Sequence, residues 1–207
     1  MEHIQIPGSS GSLEAILDLP EGTQRCAVIC HPHPLYGGNL HDNLVSILSG
    51  ACLSMGIGTL RFNFRGVGQS EGSHDKGAGE VNDIVSVVEW LRVEKGITSI
   101  ILGGYSFGAV VALKAIGQVS PEQIILVAPP VGMMDTSVEP DGTLGGEEQP
   151  DAQMLVILGD RDDIVEHNST LSFFTDAKVH SIKGADHFFA SASAEIQQAV
   201  REFVHGT

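Results

Sequence analysis

The chain has 207 residues, 42% hydrophobic and 18% charged, which suits a soluble globular domain with a sizeable core and excludes disordered and fibrous classes. A formal net charge of −15 argues against nucleic acid or an anionic membrane as partner, because both demand a basic surface. No basic, then apolar, leader opens the chain, and its most apolar stretch, residues 100–117, is interrupted by Gly103, Gly104, Ser106 and Lys114, so neither a signal peptide nor a membrane span is expected.

The first two apolar runs, residues 3–6 and 13–19, nearly alternate and are joined by a Gly- and Ser-rich turn, which predicts an antiparallel hairpin at a sheet edge. The pattern then changes. Residues 26–30, 59–64, 99–103, 123–128 and 154–158 are near-continuous apolar runs, as in parallel strands buried on both faces. Residues 178–182 read as a last strand. Helical periodicity lies between these runs. Leu40, Leu44, Ile47, Leu48, Ala51 and Met55 share one face, as do Val81, Ile84, Val85, Val88 and Leu91, with Glu80, Asp83, Glu89, Arg92 and Glu94 expected to face out. A third pattern, 110–116, is apolar nearly all round, and a fourth closes the chain through Ile196, Val200 and Phe203.

The expectation is a single α/β domain over residues 1–207, with a mostly parallel sheet of about eight strands and helices on both faces. Ligands bind beyond the carboxyl ends of such strands, so the chemistry should follow each apolar run. Residues 129–151, Gly-rich and acidic with little periodicity, read as a long loop. Cys26, Cys30 and Cys52 lie in core-like segments without Cys-x-x-Cys spacing, which predicts reduced structural thiols and a cytoplasmic protein.

The pattern Gly-x-Ser-x-Gly occurs at residues 104–108 and again at 68–72. A serine nucleophile of this kind tops a sharp turn where a strand runs straight into a helix. Ser106 follows the run 99–103 and precedes a helical pattern. Ser70 follows a glycine loop and precedes no helix, so it reads as a structural turn. On such sheets the order along the chain is nucleophile, acid, histidine. Three acids follow the run 154–158, and Asp162 is favoured because Val165 returns the turn to the core; Asp160 and Asp163 are the alternatives. Of the later histidines, His180 sits mid-strand, His205 lies in the last helix and His167 is too near the acid turn. His187, just after the last strand, is the expected base.

Attack on a carbonyl leaves negative charge on oxygen, which needs two aimed donors. Phe107 N–H, directly after Ser106, is one. The second is expected from the loop 31–38, where Pro32 and Pro34 have no N–H. That leaves His33, with Leu35 or Tyr36 behind it. Phe188, with Met133 and Met134, would line an acyl pocket, core packing being an equal reading for the methionines. His31-x-His33 lacks a third ligand at metal spacing, and no phosphate or dinucleotide fingerprint occurs, so neither metal nor cofactor is expected.

These motifs, together with residues 61–72, whose Arg65-Gly66-Val67-Gly68-Gln69-Ser70 resembles a loop that follows the fourth strand in many members, resemble the α/β-hydrolase superfamily over nearly the whole chain. They are most similar to small, uncapped bacterial members related to dienelactone hydrolases and predicted esterases. The resemblance implies the α/β-hydrolase fold without a cap domain, an open site and acyl transfer to Ser106, where true dienelactone hydrolases have Cys. The expected activity is hydrolysis of a carboxylester-like bond in a small acyl substrate. Thioester or peptide cleavage, perhydrolysis on the same residues, and a non-catalytic binding protein on the same fold are the competing readings.

Overall fold

The computed structural model describes residues 1–133 and 152–206. Eight strands, β1 (Glu2–Gly8), β2 (Gly11–Asp18), β3 (Arg25–Cys30), β4 (Gly58–Phe62), β5 (Ser99–Tyr105), β6 (Gln123–Val127), β7 (Gln153–Gly159) and β8 (Lys178–Ile182), form one sheet ordered β1-β2-β4-β3-β5-β6-β7-β8. β1 and β2 pair antiparallel, with Ile4 opposite Ala15, and β2 pairs antiparallel with β4; every pairing from β4 through β8 is parallel. The N-terminal hairpin at the edge and the mostly parallel eight-stranded sheet are therefore as expected.

Among the described residues, five helices cover the sheet: α1 (Asn43–Leu53), α2 (Ala78–Lys95), α3 (Phe107–Val119), α4 (His167–Phe173) and α5 (Ser193–His205). The pleat sends alternate residues of each strand to opposite faces. On β3, Cys26, Val28 and Cys30 enter the core layer beneath α2 and α3, whereas Ala27 and Ile29 face the layer shared by α1 and α5. That two-sided burial is why the central strands read as unbroken apolar runs. All three cysteines are free and buried in these layers. No helix among the described residues is long and apolar enough to cross a membrane, and no inserted domain interrupts their element order.

Several boundaries differ from expectation for local reasons. β4 ends at Phe62: Asn63 N–H still donates to the Glu14 carbonyl of β2 (2.8 Å), but Glu14 N–H turns to Ser70 Oγ (2.9 Å) and Phe64 N–H to His31 Nε2 (3.1 Å), so the ladder stops. α1 starts at Asn43, where the Asp42 carboxylate caps Leu44 N–H (2.8 Å). α4 has seven residues, capped by Glu166, and is too short to show periodicity. Of the stretch read as a long loop, a 3-10 turn at Val131–Met133 opens it, and residues 134–151 lie outside the described residues.

One reading of α2 is overturned. Glu80 and Asp83 do not face solvent; both are fully buried. The loop joining β4 to α2 folds over the start of this helix and turns its polar face inward. Asp83 accepts the Arg65 guanidinium through Nε (3.1 Å) and Nη2 (2.7 Å) and also Arg65 N–H (3.0 Å). Glu80 accepts Asp75 N–H (2.9 Å) and Gly77 N–H (2.7 Å). Glu89 and Glu94 are exposed as expected.

Removing one partner of a buried ion pair strands the other charge, at about 3–5 kcal/mol. Arg65 is 8% exposed and Asp83 not at all. Asp83→Ala is therefore expected to lose several kcal/mol in urea unfolding at neutral pH, whereas Glu89→Ala stays within about 0.5 kcal/mol of wild type. Equal effects of the two would mean that the Arg65–Asp83 pair carries no special weight.

Candidate active site

β5 runs directly into α3 through Ser106, whose φ of 53° and ψ of −119° lie in a region few non-glycine residues occupy. Such a conformation costs about 1–3 kcal/mol and persists only where the surroundings over-determine it. Here Ser106 N–H donates to the Val127 carbonyl of β6 (2.9 Å). A Cβ at Gly104 would lie 2.4 Å from the Gly108 carbonyl oxygen, and one at Gly108 2.4 Å from the Cys30 carbonyl oxygen. Both contacts are with backbone, so neither glycine tolerates a side chain. Ser70 sits in a different setting. Its hydroxyl donates to the Asn63 carbonyl (2.7 Å) and accepts Glu14 N–H (2.9 Å), pegging the glycine loop to β2.

Asp162 and His187 converge on Ser106 from β7 and β8. His187 Nε2 lies 3.1 Å from Ser106 Oγ, and its Nδ1 lies 2.8 Å from Asp162 Oδ2. The other carboxylate oxygen accepts Ile164 N–H and Val165 N–H, each at 2.8 Å. With Asp162 ionised, Nδ1 carries the proton and Nε2 is left to accept from the serine. Burial works to raise the Asp162 pKa, but the hydrogen bonds from His187, Val165 and Ile164 outweigh it and hold the carboxyl below its ordinary value.

The alternatives are engaged elsewhere. Asp160 accepts Gly184 N–H (2.5 Å), Asp163 is exposed, His167 Nε2 meets Ser181 Oγ (2.9 Å) and His180 Nε2 meets Glu195 (3.1 Å). His205 ends α5.

The loop after β3 folds into a 3-10 turn, Pro34–Tyr36. Its Leu35 N–H donates to His33 Nδ1 (3.2 Å) and its Tyr36 N–H to the His33 carbonyl (3.1 Å). Both amides are thus consumed inside the turn, while among the described residues nothing takes up the His33 N–H. His31 is fully buried, and both its ring nitrogens are used, Nδ1 donating to the Pro32 carbonyl (2.7 Å) and Nε2 accepting Phe64 N–H. Burial drives this imidazole down to about 4, so it stays neutral. No ring nitrogen of His31 is free to join His33 on a metal. The His33 ring, its pKa lowered by burial and then by neighbouring His74, lies 4.8 Å from Tyr36, 5.1 Å from His74 and 4.9 Å from Phe107, centroid to centroid.

The sequence profile of the alpha/beta hydrolase fold matches residues 37–144, just over half of the chain. The chain belongs to the α/β-hydrolase family. Among individual proteins, an uncharacterised protein of Rickettsia prowazekii is 32% identical over 185 residues, covering 86% of this chain and 77% of that one. A crystal structure of an α/β serine hydrolase without a lid from Xanthomonas campestris is 32% identical, with a TM-score of 0.89 over 99% of this chain and 94% of the other. An α/β serine hydrolase homologue from Coxiella burnetii is 33% identical, with a TM-score of 0.86 over 97% and 96%.

In this α/β hydrolase, three supports of the site escaped the sequence reading. Tyr105 OH donates to the His187 carbonyl (2.9 Å), and burial, the chief cause, pushes its phenol up so that it remains a donor. Gly159 lets the Ala185 carbonyl approach β7, where a Cβ would sit 2.4 Å away, so the acid turn and the histidine loop lie against each other. His74 and Glu80 stand behind His33. Tyr105, one residue before the serine, is a signal that position alone offered; the other two depend on loop geometry. Met134 lies outside the described residues, as does the side chain of Met133.

Folding favours ionised Asp162, so the group stabilises the protein above about pH 3.9, the ordinary aspartate value, and the contribution fades as pH falls through the lower folded value. Asp162→Asn lacks this component. The gap in unfolding free energy between wild type and variant is expected to shrink as urea titrations move from about pH 5 to about pH 2.5; a gap constant with pH would refute the depressed carboxyl.

Proposed function

We propose that this α/β hydrolase is a serine hydrolase that cleaves a carboxylester-like bond in a small acyl substrate through an acyl-serine intermediate. The observation that carries the reading is the unbroken hydrogen-bonded line from Ser106 Oγ through His187 to Asp162, at 3.1 and 2.8 Å. A serine hydroxyl is a poor nucleophile until a base removes its proton.

In the proposed reaction His187 Nε2 takes that proton as Oγ attacks the ester carbonyl, and the carbonyl electron pair moves onto oxygen. Phe107 N–H, in the first turn of α3 and without an intrahelical acceptor, and His33 N–H receive the oxyanion. Asp162 holds the imidazole tautomer and stabilises the imidazolium. Collapse of the tetrahedral intermediate breaks the C–O bond, and His187 returns the proton to the leaving alkoxide. Water, deprotonated by the same nitrogen, then attacks the acyl-serine and releases a carboxylic acid and free Ser106.

Exposed apolar side chains support an ester over a polar peptide. Leu35 is 71%, Tyr36 88%, Phe188 65% and Ile164 45% exposed, and all four lie on the loops after β3, β7 and β8, at the carboxyl edge of the sheet that also carries Ser106. The lidless Xanthomonas campestris relative supports the same reading of an open serine-hydrolase site. Three unpaired, buried thiols support a reducing compartment such as the cytoplasm.

Turnover of short p-nitrophenyl esters with fluorophosphonate labelling tests the proposal. Ser106→Ala is expected to abolish labelling and to lower kcat on the order of 10⁶-fold if the three residues act as a unit. Ser70→Ala is expected to lose about 1–3 kcal/mol of stability, because it orphans Glu14 N–H, yet to remain labelled. Activity that survives Ser106→Ala and disappears in Ser70→Ala would assign the chemistry to the other serine.

A further inference from the structure

The loop between β4 and α2 carries an imidazole–carboxylate pair that the proposed reaction does not use. His74 is 14% exposed, and its Nδ1 lies 2.8 Å from Oε1 of the fully buried Glu80. The nitrogen is near the carboxylate but out of line for a hydrogen bond, so this contact does not orient the ring.

Packing orients it instead. The His74 ring is tilted 50° to His33 at a centroid separation of 5.1 Å and 55° to Phe107 at 5.5 Å. His33 and Phe107 are themselves 4.9 Å apart. The three rings close a triangle, and two of its corners belong to the residues whose N–H groups are proposed to receive the oxyanion. On its inner side Phe107 meets Phe64 edge-on at 5.9 Å, which continues the cluster into the core.

Glu80 makes the third corner firm. Its two oxygens accept Asp75 N–H and Gly77 N–H, spanning a segment in which Lys76 and Gly77 take φ values of 53° and 92°. A left-handed lysine beside a left-handed glycine holds this shape only when anchored. The fully buried carboxylate supplies the anchor and stands behind the imidazole. In the same loop as His33, Leu35 and Tyr36 are exposed, so the contacts of the His33 ring with His74 and Phe107 help to hold the loop against the protein.

We propose that His74, backed by Glu80, is a positioning residue for the oxyanion pocket: its ring wedges against those of His33 and Phe107 and fixes the spacing of their two N–H groups. The inference rests on the serine-hydrolase reading above. Oxyanion donors act within a few tenths of an ångström of their best distance, and loss of one lowers kcat by about 10²–10³-fold. Slackening both without removing either should cost less.

The test is steady-state hydrolysis of p-nitrophenyl acetate, with kcat expressed per fluorophosphonate-titrated serine and a thermal melt of each variant. His74→Ala is expected to lower kcat on the order of tenfold with KM changed less than about twofold. His74→Phe, which keeps a ring in the triangle, is expected to recover most of that loss. If His74→Ala melts below the assay temperature, His74→Gln, which keeps bulk but no ring, takes its place. Three results overturn the inference: unchanged kcat without the ring, a loss in His74→Phe equal to that in His74→Ala, or a loss confined to KM. Wild-type protein with neither turnover nor labelling at Ser106 would sink the hydrolase reading first, and this inference with it.

Discussion

The molecule is organised around one crowded crossing of backbones, where α3 leaves β5. Gly104, Gly108 and the Cys30 carbonyl approach so closely that no Cβ fits at either glycine, and Ser106 is held at φ 53° between them. The strain is local, but its support is global. β6 supplies the acceptor for Ser106 N–H, β3 supplies the surface on which the first turn of α3 rests, and α2 and α3 bury the apolar layer that keeps both in register. The turn lifts one hydroxyl clear of the sheet and aims the free N–H groups of a helix at the same space.

The carboxyl edge of the sheet then collects the partners. β7 and β8 end side by side, and each is followed by a short loop whose first residues are tied by an aspartate accepting backbone N–H groups: Asp162 from Ile164 and Val165, Asp186 from Phe188 and Phe189. These self-tied turns set the acid and the imidazole before they meet. Among the described residues, the site is pre-organised by local hydrogen bonds.

Much of this was legible in the residues, and the reasons are physical. Two-sided burial writes strands as unbroken apolar runs, so β3 through β7 announced themselves, and strand-turn-helix chemistry separated Ser106 from Ser70. Position after a strand was enough to single out His187, since a parallel sheet puts such loops on one edge. The failures share a different cause. Glu80 and Asp83 fall on the polar face of α2 by periodicity, and periodicity does not know that a glycine-rich loop from 66 to 77 will fold over that face and turn it into an interior. His74 was invisible for the same reason, because its neighbours come from residues 33 and 107. Helix α4 escaped because seven residues are two turns, too few to establish a period.

The thiols of this fold have a practical corollary. Burial, first among the causes, pushes Cys26 and Cys52 up to about 12 and Cys30 higher still, so at neutral pH almost none is thiolate and none meets solvent. Alkylating reagents therefore find no target in the intact molecule. They gain one only when the interior comes apart, and the rate of alkylation becomes a clock for spontaneous opening of the sheet, independent of any event at its carboxyl edge.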